Sequence, residues 1–330
     1  MTKLHPAGLA FLACLFAVPA PDAMAAEALN AATVNQAQIS PKSKARKVPS
    51  AVLLRAQVLL DRAHFSPGEI DGKSGENARR AIAAFQKARG LRPDGKLDKG
   101  TLAKLVETGS EPALVEYKID EGDVKGPFVI NMPKDFELMA ELDHLGYASP
   151  LELLSEKFHG SEALLQALNP GQMFDAAGAT ITVPNVRAER TTVKVVRIEV
   201  DKQARGVRAF GPGDELVAYY PASVGSQEKP APSGTYRVRR AILNPTYTYD
   251  PKFAFKGVTA RSKVEIAEGP NNPVGAVWID LTKASYGIHG TAHPETIAKT
   301  ESHGCVRLTN WDATELARMV SNATVVVFVD

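Results

Sequence analysis

Apolar residues recur at helical spacing from Val52: Val52, Leu53, Ala56, Leu59 and Leu60 share one face and predict a helix opening near Ala51. A turn-rich loop, Phe65 to Gly75, leads to a second stripe of Ala78, Ile82 and Phe85, which Gly90 stops. The turn Arg92-Pro93-Asp94-Gly95 separates it from a third short helix through Leu97, Thr101, Leu102 and Leu105. Short helices joined by Asp-Gly turns predict a small bundle over residues 50–109.

From 111 to 190 the pattern is mixed. Tyr117 to Asp123 ends in a Gly-Asp turn, Pro150 to Phe158 and Glu162 to Asn169 are helical, and Ile181 to Pro184 is extended. From Thr191 the period becomes two: Val193, Val195, Ile198 and Val200 alternate with polar residues, followed by the strand-like Leu216 to Tyr220. The runs Val224 to Tyr236 and Gly269 to Gly275 are rich in turn formers. Ala276 to Leu281 and Tyr286 to His289 read as strands. Asn310 to Ser321 reads as an amphipathic helix capped by Asn310, and Thr324 to Val329 as a closing buried strand. The 191–330 region is therefore expected to be β-rich.

The ends of the chain change this picture little. Lys3 and His5, the apolar run Ala7 to Ala20 and the small residues Ala23-Met24-Ala25 form an export signal over 1–26, too short to span a bilayer. A lipid-modification site at Cys14 is not expected, because it would cut the apolar run short. Residues 27–49, with Lys42, Lys44, Arg46 and Lys47, bury too little apolar surface to offset ordering entropy and are expected to be a flexible linker. The net charge of +2 gives no argument for nucleic acid, and no later segment approaches a membrane span. The mature protein is expected in the periplasm or cell envelope.

If the signal is removed, Cys305 is the sole remaining cysteine. An exported protein normally pairs its thiols, so a lone one within Ser302-His303-Gly304-Cys305-Val306-Arg307 reads as a nucleophile. A free thiol is mostly protonated at neutrality, and a nearby imidazole can take that proton and return it to a leaving amine. His289, in His289-Gly290-Thr291, and His303 are the candidates. Gly304 lets the backbone approach a carbonyl, and N–H groups around Cys305 could hold an oxyanion. Two other readings compete with this one: a small core cysteine, and zinc held by His289, His293, His303 and Cys305. The flanking His, Gly and Arg oppose the first and the irregular spacing the second. His293 is expected to be a loop residue, and no metal or cofactor is expected.

These motifs carry resemblances. Gly68-Glu69-Ile70-Asp71-Gly72-Lys73-Ser74-Gly75, Ala81-Ile82-Ala83-Ala84-Phe85-Gln86, and Gly90-Leu91 through Asp94-Gly95 to Thr101 and Leu105 resemble the three-helix peptidoglycan-binding domain. Tyr117 to Asp123, the helical stretch Pro150 to Phe158, Glu162 to Gly171 and Ile181 to Pro184 resemble a LysM carbohydrate-binding module, interrupted by an insertion from Val124 to Tyr147. The C-terminal region resembles the L,D-transpeptidase (YkuD) catalytic domain through His289-Gly290-Thr291 and Ser302 to Leu308, with Pro232 to Tyr236 and Asn271 to Gly275.

The resemblance implies a multidomain α+β chain: a three-helix bundle, a LysM-like α/β module and a β-sandwich with its cysteine in a groove. It further implies Cys305 as nucleophile, His289 as proton carrier oriented by the Gly290 carbonyl, His303 and Gly304 shaping the oxyanion region, and Arg307 holding the site or a substrate carboxylate. Ser302, Thr291, Tyr286 and Asn272 are expected beside substrate. The implied reaction joins peptidoglycan stem peptides in 3-3 cross-links through a thioester, contributing to wall organisation and cell shape, with carbapenems expected to acylate the same sulfur. Alternatives are an L,D-carboxypeptidase, in which water resolves the thioester, a non-catalytic wall-binding protein, and attachment of an outer-membrane protein to the wall.

Overall fold

The computed structural model describes residues 1, 29–39, 50–186, 192–226, 229–253, 258, 260–302 and 304–330. The export signal, the basic cluster of the linker and His303 lie outside the described residues. Part of the expected linker does not: α1 (Ala31–Asn35) buries Val34 against Leu54, Val58 and Leu114. The Asn35 side chain meets both backbone groups of Leu114, at 2.9 and 2.8 Å. Residues 29–39 are thus an ordered strap rather than a flexible tether, because Val34 and Asn35 find partners far along the chain.

Helices α2 (Ala51–Arg62), α3 (Glu76–Ala88) and α4 (Lys99–Val106) enclose Leu59, Leu60, Phe65, Ile82, Phe85, Leu102 and Leu105. Their Asp-Gly turns are held from inside by two buried glutamines. Gln57 Oε1 accepts from Gly72 N at 2.7 Å, and Gln86 Oε1 accepts from Gly95 N at 2.9 Å. Gly95 has φ +71°, and a Cβ there would lie 2.7 Å from the Arg79 carbonyl, so only glycine fits. The loop between α2 and α3 is a wedge into the rest of the molecule. Ser66 N donates to Tyr219 O, Ile70 N to His159 O, and the Ser66 hydroxyl to buried Asp312.

In the middle unit, β1 (Leu114–Lys118) pairs antiparallel with β2 (Thr180–Pro184). Between them come α5 (Glu121–Lys125), α6 (Phe136–Met139), α7 (Pro150–Lys157) and α8 (Glu162–Leu168). Ile119, Leu154, Leu165, Phe174, Ile181 and Val183 form its core. The insertion carrying α6 reaches away from this core. Its Leu145 exchanges backbone bonds with Glu268 and Asn271, and Phe136 packs edge-on against Tyr247 and Tyr249.

The C-terminal region holds β3 (Arg197–Asp201), β4 (Gly206–Phe210), β5 (Leu216–Pro221), β6 (Ser223–Val224), β7 (Gly234–Leu243), β8 (Tyr247–Tyr249), β9 (Val264–Ile266), β10 (Val277–Leu281), β11 (Gly287–His289), β12 (Val306–Arg307), α9 (Asn310–Met319) and β13 (Val325–Val329). Strands β8 and β9 form a separate hairpin. The others make one nine-stranded sheet in the order β5-β4-β3-β13-β7-β10-β11-β12-β6. The two leaves of the expected sandwich are therefore joined through shared strand β7 into one continuous hydrogen-bonded order. Strand β7, ten residues long, pairs with β13 through its first half and β10 through its second, so it belongs to both leaves. The leaves and α9 share a core of Ile198, Val207, Tyr220, Val277, Ile279, Ile288, Val306 and Leu316. Thr309, not Asn310, caps α9: its hydroxyl accepts from Asp312 N.

Candidate active site

Strands β11 and β12 run parallel, with Ile288 opposite Val306 and His289 opposite Arg307. Ile288 and Val306 are fully buried in the core, so alternation sends Gly287, His289, Cys305 and Arg307 to the other face. Continuing the register places Cys305 beside Gly287. The absent side chain leaves room for the sulfur, which accepts from the Gly287 N–H and reaches the Ser285 carbonyl at 3.9 Å. The Trp278 indole floors this face: its ring lies 5.6 Å from the His289 ring, nearly parallel. A Cβ on Gly287 would come within 2.5 Å of that indole.

His289 is 7% exposed, and its Nδ1 lies 2.7 Å from the Gly290 carbonyl. A carbonyl can only accept, so Nδ1 carries the hydrogen and Nε2 is left as the basic atom. Burial, reinforced by the Arg307 guanidinium, pushes the imidazole down to about 4 against the pull of the Gly290 and Val274 carbonyls. Burial also pushes the Cys305 thiol up, partly offset by the Gly287 N–H. Both groups are therefore neutral at rest: a thiol and a free base, not a preformed ion pair.

The loop before Cys305 is fastened by Ser302. Its hydroxyl donates to the Cys305 carbonyl and accepts from Gly225 N. Ser302 is buried, so it braces the loop before β12 instead of facing substrate as expected. Gly304 has φ +105°, a conformation that favours glycine, and a Cβ there would lie 3.3 Å from the Tyr286 ring. Tyr286 is thus at the lip of the site, with the Lys283 ammonium 5.5 Å from its ring centre. Arg307 donates to the Thr300 hydroxyl and Glu301 carbonyl, tying the segment that precedes the nucleophile loop.

Two further expectations are corrected. Asn272 is wholly buried, with its amide donating to Ala267 O and its oxygen accepting from Val274 N, so it shapes its own loop. Thr291 is also buried; its backbone N–H goes to Asn310 and its hydroxyl accepts from His293 N. His293 is an exposed loop residue beside Glu295.

Sequence reasoning missed Trp278, Gly287 and Tyr247. The first two carry no motif of their own and matter only through cross-strand register. Tyr247, on the β8–β9 pair, is pushed up to about 12 by burial first and by the Cys305 sulfur second. A cavity of about 530 Å³ lies elsewhere, lined by Glu69, Glu152, Glu162 and Glu295 among others, and neither Cys305 nor His289 faces it.

The family described as "L,D-transpeptidase catalytic domain" matches residues 195–328, and "Putative peptidoglycan binding domain" matches residues 52–105. A Bacillus licheniformis protein named "Putative L,D-transpeptidase YkuD" is 34% identical over 178 residues, spanning 53% of this chain and 90% of that protein. "Probable L,D-transpeptidase YbiS" of Escherichia coli is 27% identical over 190 residues, 56% of this chain and 61% of that one. L,D-transpeptidase 3 from Mycobacterium tuberculosis overlaps 47% of this chain and 76% of its own at 15% identity, with a TM-score of 0.35.

Proposed function

The chain belongs to the L,D-transpeptidase family of the YkuD type, and from that premise we propose that Cys305 and His289 carry its acyl transfer. It is an L,D-transpeptidase, and peptidoglycan is its substrate. The carrying observation is that the sulfur and the imidazole share one face of β11–β12, with Nδ1 occupied by Gly290 and Nε2 left basic.

The reaction starts from the neutral pair. As Cys305 Sγ bonds to the carbonyl carbon before the terminal D-Ala of a tetrapeptide stem, its proton passes to His289 Nε2. Collapse breaks the C–N bond, and the imidazolium gives its proton to the departing D-Ala amine. The thioester then meets a side-chain amine of a neighbouring stem; its nitrogen displaces the sulfur while His289 takes the amine proton and returns it to Cys305 Sγ, leaving a 3-3 cross-link. Backbone N–H groups near Gly304 and Cys305 hold the oxyanion, and Tyr286 borders the stem. His303 belongs to this region of the motif.

The remaining units deliver the enzyme. The helical unit at 50–109 and the LysM-like unit at 111–190 hold it on its polymer, raising the effective concentration of stems without altering the site. The enzyme acts outside the cytoplasm, in our reading in the periplasm after removal of residues 1–26. None of the described helices is long and apolar enough to cross a membrane.

Incubation with a disaccharide-tetrapeptide, followed by mass analysis, tests this. The expected products are a thioester on Cys305 lacking D-Ala and a 3-3 dimer, both lost in Cys305→Ala. Tripeptide without dimer would mean that water is the acceptor, and an adduct persisting in Cys305→Ala would reject the nucleophile.

A further inference from the structure

Resting on that reading of Cys305 and His289, we propose that Glu156 of the middle unit is a positioning residue for the catalytic histidine, acting through Asn310. Asn310 opens α9 and is 4% exposed. Its Oδ1 accepts from Ala276 N at 2.9 Å and Thr291 N at 3.1 Å, backbone groups that flank the Gly290 turn. Its Nδ2 donates to both carboxyl oxygens of Glu156, at 3.1 and 3.0 Å, and to the Pro270 carbonyl at 3.0 Å.

These partners choose the orientation of the amide. Turned over, its NH₂ would face the Ala276 and Thr291 N–H groups and its oxygen the Pro270 carbonyl, leaving buried polar atoms opposed. The contact with the loop is also tight. A Cβ on Gly290 would lie 2.2 Å from Asn310 Oδ1, and one on Gly275 only 2.1 Å, so the amide cannot shift without displacing the loop backbone. The next link is the Gly290 carbonyl on His289 Nδ1. A continuous path of hydrogen bonds therefore runs from α7 to the imidazole that must receive the thiol proton.

Glu156 suits this task because it is 8% exposed and burial raises its carboxyl to about 8, against the Asn310 hydrogen bond and with help from Glu152. Its two oxygens supply acceptors to the amide, and burial disfavours a charge on them. Glutamine reproduces that acceptor; leucine does not. The middle unit thereby has a role in chemistry distinct from any adhesion to the wall.

The test compares the full chain with Glu156→Gln and Glu156→Leu, using Glu156→Met, also without an oxygen acceptor, should the leucine variant not fold. The Gln variant is expected to acylate Cys305 with a carbapenem within about 3-fold of the parent rate. The Leu variant should slow at least about 10-fold at saturation, as misplacement of a catalytic group does, with little change in the half-saturating concentration. In a Cys305→Ala background with ¹⁵N-labelled imidazoles, only the Leu variant should lose the single Nδ1–H tautomer of His289. Parent-like acylation by folded Glu156→Leu, unchanged His289 resonances, or a Gln variant as slow as Leu would overturn the proposal. Absence of acylation in the parent would reject the functional reading instead, while the imidazole spectra still decide the role of Glu156.

Discussion

The two loops richest in motif residues spend them differently. In the helical unit, the glycines of the Asp-Gly turns, Gln57 and Gln86 all serve the backbone: each buried amide closes a turn, and Ser66 and Ile70 bond to the other units. In the loop before β12, Ser302 and Gly304 likewise serve the backbone, but they do so to leave the partly buried Cys305 on the same face as His289. A shared motif thus marks a constrained chain in both places, and chemistry only where the constraint ends on a reactive atom.

The largest effect that would break this contrast is on the proton carrier. His289→Gln removes the base while leaving a side chain able to reach the Gly290 carbonyl, and should slow acylation of Cys305 by about 10²–10⁴-fold with little loss of stability. Rapid-mixing kinetics with a carbapenem measure it; a loss under tenfold would separate His289 from the chemistry. Gly287→Ala comes next. Its methyl would collide with Trp278, so the strand or the indole must move, at a cost of about 1–3 kcal/mol and with slowed acylation, both readable from melting curves and the same kinetics. The smallest effect belongs to the other loop. Gln86→Leu leaves the Gly95 N–H without its partner and should cost about 1–3 kcal/mol in stability, while acylation of the folded enzyme stays at the parent rate.

Legibility followed the same division. The stripes at Val52 to Leu60 and Ala78 to Phe85 were readable because each helix buries one face, and α2 and α3 begin and end near the expected residues. Strand β7 was not: Thr235, Arg237, Arg239, Arg240 and Ala241 leave no clean alternation, since its place in the sheet comes from backbone pairing on both edges. The strap at 29–39 was read as linker because its composition is polar, while its order depends on Leu114, nearly eighty residues away. At the site, Cys305 and His289 stand out in the sequence through their motifs alone. Their resting charge does not, because the shifts come from burial, the Gly287 N–H and Arg307, which only folding brings together. Nor could the inward turn of Ser302, Thr291 and Asn272 be read, since polar residues in turn-rich runs look alike whether they face solvent or their own loop.

The most direct test of the neutral pair is the rate of Cys305 acylation by a carbapenem as a function of pH, followed by intact-protein mass. The base must be unprotonated to act, and its folded pKa is depressed, so activity is lost only as pH falls through that depressed value. A single adduct, absent in Cys305→Ala, is expected, with a rate that is flat through pH 6.5 and declines with a midpoint near 4. A midpoint near 6.5, the ordinary imidazole value, or an adduct on any other residue would contradict the account.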